Sequence, residues 1–439
     1  MKTFHYILSF LLIPFAFLYP QWRLSNGTEG IRISDVEIYY SNPDTVYALG
    51  NGLMLSTDRG ENWDSVGTGA NGVFKIDPTD SKRLYLNHAI LPFNGNEVKM
   101  TTDGGLNWET LFWGMGPPWI DQPIVETDPV DLATVYVTLN FHNLLRSTDH
   151  GNNWDTIPPP DSYSFSSLAV APSDNNIIYV GSSAPSRVNK STDRGETWNL
   201  LPFPLTEQAT VLIAIHPKNT ELVYAAVYSN GFSAGGVFKS KDGGLTWEEK
   251  NNGLSDLDLD IGSIIINPKQ PDELYIGTAG NLNNDCLFKT TDGGDHWFKF
   301  TNGLPDTAKV NAIVLDTLNN RIYLGMFAFN GYGSGIYIYD GLSSVNNDQE
   351  LPDNIHLYQN YPNPFNSSTI IQYDLSEGGY VNLTVYDILG KEIINLVNDY
   401  QPEGRYRVKL NAKGFPSGIY YYSLVTGKNK FVRKAVLIK

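Results

Sequence analysis

The chain has 439 residues, 41% hydrophobic and 13% aromatic, enough for one large domain and a small one. Its formal net charge is −16, and residues 21–350 alone hold 20 Lys/Arg against 40 Asp/Glu, a surface that disfavours nucleic acid and anionic lipid. The single cysteine, Cys286, excludes any disulfide within the chain, so packing must hold the fold.

The chain begins MKTFHYILSFLLIPFAFLYPQW, with Lys2 ahead of an apolar stretch from Tyr6 to Tyr19 that Pro14 interrupts. That stretch is short for a membrane span and reads as a cleaved signal peptide over residues 1–20, although no small-x-small cleavage site precedes Gln21. No other segment could span a bilayer, so no stable membrane span is expected.

From there one pattern, Ser/Thr-x-Asp-x-Gly-x-x-Trp, recurs six times as STDRGENW, TTDGGLNW, STDHGNNW, STDRGETW, SKDGGLTW and TTDGGDHW. Its aspartates, Asp58, Asp103, Asp149, Asp193, Asp242 and Asp292, lie 45, 46, 44, 49 and 50 residues apart, a period that without helical signature suggests propeller blades. Gly suits the positive φ of a tight turn, Asp binds the turn's own N–H groups, and Trp serves as an apolar plug. A site used once per molecule does not need six copies, so the box reads as structural.

A second repeat runs in phase: Pro/Asp/Asn turns such as NPDTVYA and NPKQPDELYI, followed by Tyr47, Tyr85, Tyr136, Tyr179, Tyr224, Tyr275 and Tyr323. Each reads as the hairpin joining the two inner strands of a blade, giving four strands per period with the Trp on the outermost. The seventh unit ends at GIYIYDG, with Asp340 and Gly341 in place but no Trp strand. QWRLSNG at residues 21–27 matches HWFKFTNG and TWEEKNNG, so the first strand should complete the last blade and close the ring. The expected fold is all-β: a seven-bladed β-propeller with Asp-box turns over residues 21–342.

Residues 343–356 read as a polar linker. From Leu357 the pattern becomes STIIQYDL, YVNLTVYDILG, GRYRVKLN, GIYYYSLVTG and KFVRKAVLIK, alternating strands between Gly/Asn/Asp turns that predict a small immunoglobulin-like β-sandwich over residues 357–439. Residues 351–439 hold 10 Lys/Arg and 7 Asp/Glu, opposite in sign to the rest.

The six boxes resemble the Asp-box (BNR) repeats of sialidases, sortilin-type receptor propellers, xyloglucan-cleaving glycosidases and the photosystem II stability factor. That group mixes enzymes with pure binding modules, so the resemblance implies architecture and not activity. YQNYPNPFNSSTIIQYDL, VYDILGKEI, PSGIYYYSL and the basic end KFVRKAVLIK resemble the C-terminal (type A) sorting domain of type IX secretion cargo. The resemblance implies export from the periplasm to the outer cell surface or medium, with the type IX machinery as partner.

In propellers of this kind the boxes lie opposite the functional face, which is built by the loops between second and third strands and between successive blades. On those loops the aromatics Phe93, Phe112, Trp113, Trp119, Phe232, Phe327, Phe329 and Tyr332 suit stacking on sugar rings or on a partner's apolar side chains, or else pack the rim. Trp113 and Trp119, in FWGMGPPW, lack strand periodicity and are expected to be exposed; with Phe93, Phe329 and Tyr332 they form the candidate ligand-binding set.

A sialidase would need an arginine triad, but Arg59 and Arg194 lie inside boxes, Arg146 takes the position held elsewhere by Lys99, Lys190, Lys239 and Lys289, and Arg23 and Arg321 fall on the outer strand and turn face, which leaves Arg32 and Arg187 and makes a triad improbable. A two-carboxylate glycosidase would draw on Asp121, Glu207 or Asp258, with Asp161, Asp260 and Asp306 also on functional-face loops. The run SDLDLDIG could offer Asp256, Asp258 and Asp260 to Ca²⁺, but it lacks a glycine-turned loop and reads more simply as a solvated strand entry. His88, His142 and His216 have no ligand spacing, and no cofactor or metal is expected. The sequence therefore points to a secreted or surface-attached, non-catalytic propeller that binds an extracellular protein or glycan; the alternative is a glycoside hydrolase acting on extracellular polysaccharide.

Overall fold

A computed structural model describes residues 22–68, 72–90, 95–115, 124–139, 143–158, 165–183, 185–205, 209–229, 235–254, 261–278, 286–305, 308–328, 333–341, 354–360, 362–401 and 404–438. These form seven four-stranded antiparallel sheets followed by a three-stranded and a four-stranded sheet, a seven-bladed propeller and a β-sandwich. The innermost strands, in blade order, are Asp35–Ile38, Gly72–Asp77, Val125–Thr127, Phe165–Val170, Ala209–Ile215, Ile261–Ile266 and Lys309–Asp316. The strands after them carry the seven repeat tyrosines, every one nearly or fully buried between blades. No helix among the described residues is long and apolar enough to cross a membrane.

Each box is built the same way. The Ser/Thr hydroxyl donates to Asp Oδ1 and accepts the Gly N–H, as Ser56 does with Asp58 (2.8 Å) and Gly60 (2.7 Å). Asp Oδ1 then accepts the N–H of the residue before Trp, and Oδ2 a donor from that residue's side chain: Asn62, Asn107, Asn153, Thr197, Thr246 and His296. That penultimate position, an unspecified x in the motif, is thus always a donor. Hydrogen bonds from Asn107 and Thr101 hold the Asp103 carboxyl down at about 2, and Thr246 and Ser240 do the same for Asp242. The Trp precedes the outer strand instead of lying on it, and its indole N–H often returns to the box Gly carbonyl, as in Trp108 to Gly105 (3.0 Å).

The residue after each box Asp joins the blades. It lies in the left-handed region even where it is not glycine, at Arg59, His150 and Arg194. Its N–H donates to the inner hairpin turn of its own blade, for example Arg59 to the Asp44 carbonyl (3.1 Å) and Gly293 to that of Asp272 (2.9 Å). At Arg59, Arg194, Gly243 and Gly293 its C=O accepts from the repeat tyrosine or the third-strand cation of the preceding blade. Tyr224 and Lys239 both donate to the Gly293 carbonyl (3.1 and 2.8 Å), Arg146 donates to that of Arg194 (3.0 Å), and across the closure Tyr323 donates to that of Arg59 (2.9 Å). The recurring Lys/Arg therefore belongs to the seam between blades.

The seventh blade takes its outer strand, Arg23–Leu24, from the start of the described chain, with Arg23 opposite Ile338 and Leu24 opposite Tyr337. Trp22 is 2% exposed, and its N–H bonds the Asn302 carbonyl as Trp297 bonds that of Asn252. Asp340 keeps the box position, and the Gly341 N–H still pins the Asn320 carbonyl (2.9 Å). Without a full seventh box, Tyr275 and Lys289 of the sixth blade lack the usual carbonyl. Glu273, 2% exposed, substitutes for it: Oε1 accepts from Tyr275 and Oε2 pairs with Lys289, both at 2.8 Å.

The sandwich pairs a sheet of His356–Leu357, Ser368–Leu375 and Gly404–Asn411 with one of Glu392–Gln401, Gly379–Tyr386, Gly418–Thr426 and Asn429–Leu437. Ile371, Tyr373, Leu383, Tyr422 and Leu424 fill the core between them. The stretch YQNYPNPF crosses from one sheet to the other. Asn360, buried, takes the Tyr422 hydroxyl on its N–H (2.7 Å) and donates its amide to Pro362 and Thr369, while Asn363 and Phe365 bind the backbone of Val436 and Ile438.

Deleting residues 21–27 should strip the seventh blade of its outer strand and expose an edge; lower melting temperature and self-association in gel filtration are expected, and a variant as stable and monomeric as the parent would refute closure. Glu273→Ala leaves Lys289 buried without a counter-charge and should cost about 3 kcal/mol in denaturant unfolding. Burial raises the Glu273 carboxyl, but Lys289, Asn267 and Tyr275 together hold it below the ordinary value of 4.5. Its contribution is present above that ordinary value and is lost as pH falls through the folded one, so the gap between parent and Glu273→Ala should narrow in acid; a gap constant from pH 7 down to 3 would contradict this.

Candidate functional site: the channel mouth and the second-blade rim

The inner strands enclose an axial channel that opens, on the side away from the boxes, into a basin of about 690 Å³. Its wall mixes polar groups (Ser34, Ser166, Thr210, Asn311) with Val73, Ile124, Leu212 and Tyr228. A smaller, apolar hollow of about 280 Å³, lined by Tyr40, Pro172 and Ile265 among others, opens on the box side.

Carboxylates along the channel gather on the first three blades. Asp35 and Glu37 alternate along the first inner strand, and Lys75 and Glu126 come from the next two. Lys75 Nζ lies 2.5 Å from Glu37 and 3.8 Å from Glu126. Asp35 accepts the Val36 N–H (2.9 Å) and the Phe74 N–H of the neighbouring blade (3.0 Å). Burial, then the nearby Glu37, pushes the Asp35 carboxyl up to about 7; burial also raises Glu126, while the three carboxylates outweigh burial to raise Lys75. Across the channel, Lys309 runs along Gly262 to stand over the Tyr228 ring (5.7 Å).

Sequence reasoning passed over these residues. Asp35, Glu37, Lys75 and Glu126 looked like ordinary alternating strand positions, and the available signal was that four charges share the channel-facing register of three consecutive inner strands. Arg83, outside the boxes, pairs with Asp77 on the box side (3.3 Å), where Tyr85 and His150 also bond that carboxylate.

Of the aromatic candidates, Trp113 is 58% exposed, but it lies on a strand: Glu109–Met115 is a seven-residue outer strand. The correction has a physical cause. The second-blade hairpin, Asp80–Ile90 with Gly95–Thr101, is long enough to offer an edge on which FWGM can pair despite its glycine. Phe112 packs edge-on against Trp154 of the third blade (5.7 Å), and Phe327 lies under Arg32 (4.5 Å), so both serve the rim. Phe93, Trp119, Phe232, Phe329 and Tyr332, with the carboxylates Asp121, Asp161, Glu207, Asp256, Asp258, Asp260 and Asp306, fall outside the described residues, as does the leader.

Residues 359–439 match the family of secretion system C-terminal sorting domains. A xyloglucanase from Acetivibrio thermocellus is 28% identical over 162 residues, 28% of this chain and 19% of that protein, so the chain spans about a fifth of the curated relatives it matches. Among solved structures, the GH74 xyloglucanase of Xanthomonas campestris superposes with a TM-score of 0.57 at 15% identity, covering 94% of this chain and 81% of that one. YCF48 from Cyanidioschyzon merolae gives 0.52 at 12%, covering 73% and 98%, and YCF48 bound to D1 peptide gives 0.51 at 15%, covering 74% and 98%. These likenesses show the fold. The chain is a β-propeller protein with a type IX secretion sorting domain at its C-terminus, and that domain marks it for the cell surface or the extracellular space.

Because the folded state prefers Asp35 protonated, its contribution is complete below the ordinary value of 3.8 and is lost as pH rises through about 7. Asp35→Asn, uncharged throughout, should flatten the fall in melting temperature between roughly pH 4 and 7; an unchanged slope would show that Asp35 ionises normally.

Proposed function

We propose that the exported propeller is a non-catalytic binding module, holding an extracellular protein or glycan at the channel mouth and the surrounding rim, with Trp113, Trp119, Phe93, Phe329 and Tyr332 as contact residues. The observation that carries this reading is the state of the described mouth carboxylates. Asp35 is tied to two backbone N–H groups, and Glu37 and Glu126 converge on Lys75. A glycosidase needs an acid and a base or nucleophile that flank a sugar across roughly 5 to 10 Å, whereas these three face a lysine and the protein backbone. A structurally similar propeller, YCF48, bound to D1 peptide supports peptide binding as one use of this architecture.

The second reading, a glycoside hydrolase drawing on Asp121, Glu207 or Asp258, is favoured by the Asp35 carboxyl, which burial raises to about 7 so that it is partly protonated near neutral pH as a general acid must be, and by the xyloglucanase relatives. A glycan-array and hydrolysis screen of the full-length mature protein separates the two. Retention without turnover is expected; hydrolysis of any glycoside that disappears in Asp121→Asn or Asp258→Asn would replace the first reading with the second.

For export, the proposed route is removal of residues 1–20 at the inner membrane, passage through the periplasm, and recognition of residues 357–439 by the type IX machinery, with residues 343–356 as linker. The strand Asn429–Leu437 pairs along the whole of Gly418–Thr426 and also anchors Phe365, so deleting residues 430–439 removes an entire sheet edge. The truncated protein should accumulate in the periplasm with its leader removed and its propeller folded. Equal amounts of truncated and full-length protein at the surface or in the medium would refute the assignment.

A further inference from the structure

Among the described residues, more than half of the large apolar side chains left exposed belong to the sorting domain, the smaller of the two regions. Most of them gather at one end of its four-stranded sheet. There Tyr420, Tyr422, Leu424, Ala435 and Leu437 point into the core, so the alternation of a strand turns Ile419, Tyr421, Val432, Lys434 and Val436 outward. Cross-strand pairing sets Ile419 opposite Val436, and Tyr421 opposite both Lys434 and Tyr386, which places them side by side on one face. Ile388 and Leu389, 67% and 87% exposed, lie just beyond Tyr386 in the turn at the same end of the sheet.

That turn is fixed by its own hydrogen bonds. Asp387 Oδ1 accepts the N–H groups of Leu389 (2.8 Å) and Lys391 (2.9 Å), the Asp387 N–H donates to the Lys391 carbonyl (3.0 Å), and Gly390 takes the left-handed backbone that closes it (φ 79°). Two aliphatic side chains are thus held out into solvent on a rigid knob. The propeller touches the other end of this sheet, where Tyr400, paired with Tyr380, stacks on His296 of the sixth box (4.1 Å). Toward the strand Glu392–Gln401 the same outer face is polar: Asn382, Thr384, Asn395 and Asn398 hydrogen-bond one another there. The apolar surface is therefore confined to the turn and the last two strands.

A contiguous exposed apolar surface marks a site of interaction, and charge selects the partner. Lys391, Lys430 and Lys434 stand exposed around the patch, against Glu392. Two copies of this face would bring the lysines together, which disfavours self-pairing. Residues 21–350 carry 20 Lys/Arg and 40 Asp/Glu, whereas residues 351–439 carry 10 and 7. An acidic rim on a partner therefore attracts the tail and repels the propeller joined to it. We propose that the turn Ile388–Leu389 and the outer face of the last two strands are the docking surface of the sorting domain, seated in an apolar, acid-rimmed cleft of a type IX secretion protein. Ile388 and Leu389 are its apolar anchor, Ile419 and Tyr421 the wall beside them, and the lysines its rim. This rests on the export reading above and gives that recognition a place on the fold.

The full-length chain carrying Leu389→Asp or Ile419→Asp, expressed in the producing cell, tests the surface, with Asn398→Asp on the polar half as the control for added charge. At least tenfold less of each patch variant is expected at the surface and in the medium, with leaderless protein of unchanged melting temperature accumulating in the periplasm. Asn398→Asp should be exported like the parent. Should Ile419→Asp lower the melting temperature, Leu389→Asp, in a solvent-exposed turn, carries the test alone. Export of Leu389→Asp at the parental level would overturn the surface, as would equal trapping of Asn398→Asp. Self-association of the parent in gel filtration that Leu389→Asp abolishes would overturn it too, by showing that the patch pairs with a second copy. If the deletion of residues 430–439 is trapped while Leu389→Asp is exported, only this surface falls; if both are exported, the export reading falls with it.

Discussion

The propeller depends on one recurring joint, the peptide unit that follows each box aspartate. Its N–H anchors the inner hairpin turn of its own blade, and where the neighbouring side chains reach it its carbonyl accepts from the blade before. One amide therefore locks both the internal register of a blade and its contact with the next. The left-handed backbone at Arg59, His150 and Arg194 costs energy for a residue with a Cβ, and the box hydrogen bonds offset it. Where the joint is incomplete, at the seam between the sixth and seventh blades, Glu273 takes over as acceptor for Tyr275 and Lys289. A buried donor that loses its partner costs more than the bond is worth, so Tyr275 and Lys289 take Glu273 where the next blade has no full box.

With the box side consumed by these joints, the recognition proposed above falls to the other side, where the inner strands begin and the second-blade hairpin is extended. The same economy explains the basic residues of the third strands. Arg146, Lys190 and Lys239 lean toward the next box, so a repeated cation that in isolation suggests anion binding is a structural device. In the channel the charge pattern is not repeated around the ring: it is confined to the first three blades, with Lys309 over Tyr228 opposite. Departures from the repeat, not the repeat itself, mark where this molecule differs from a bare scaffold.

The sorting domain is held by a different kind of constraint. It has no repeat to fall back on, and its two small sheets are tied by the segment that crosses between them: Asn360 beneath the Tyr422 hydroxyl, Asn363 and Phe365 against the last strand. Its net positive charge contrasts with the acidic propeller, so at low ionic strength the two regions present opposite signs to any partner surface.

Much of the architecture was legible because it is periodic. Boxes and turn tyrosines spaced by a blade's length determined the blade count, and the likeness of QWRLSNG to the Trp-strand segments of the fifth and sixth blades determined closure, since local turn chemistry depends on few neighbours in sequence. The tail was legible through its ordered motifs. What only the tertiary structure decided were relations between positions distant in the chain. Asp35, Glu37, Lys75 and Glu126 meet because three inner strands bring them to one channel. FWGM became a strand because a long hairpin offered it an edge. Glu273 is an acceptor because the box that would have served Tyr275 and Lys289 is missing one blade further on. A sequence records which groups a seam can use, but which of them are left without partners, and so must find substitutes, is settled only when the ring closes.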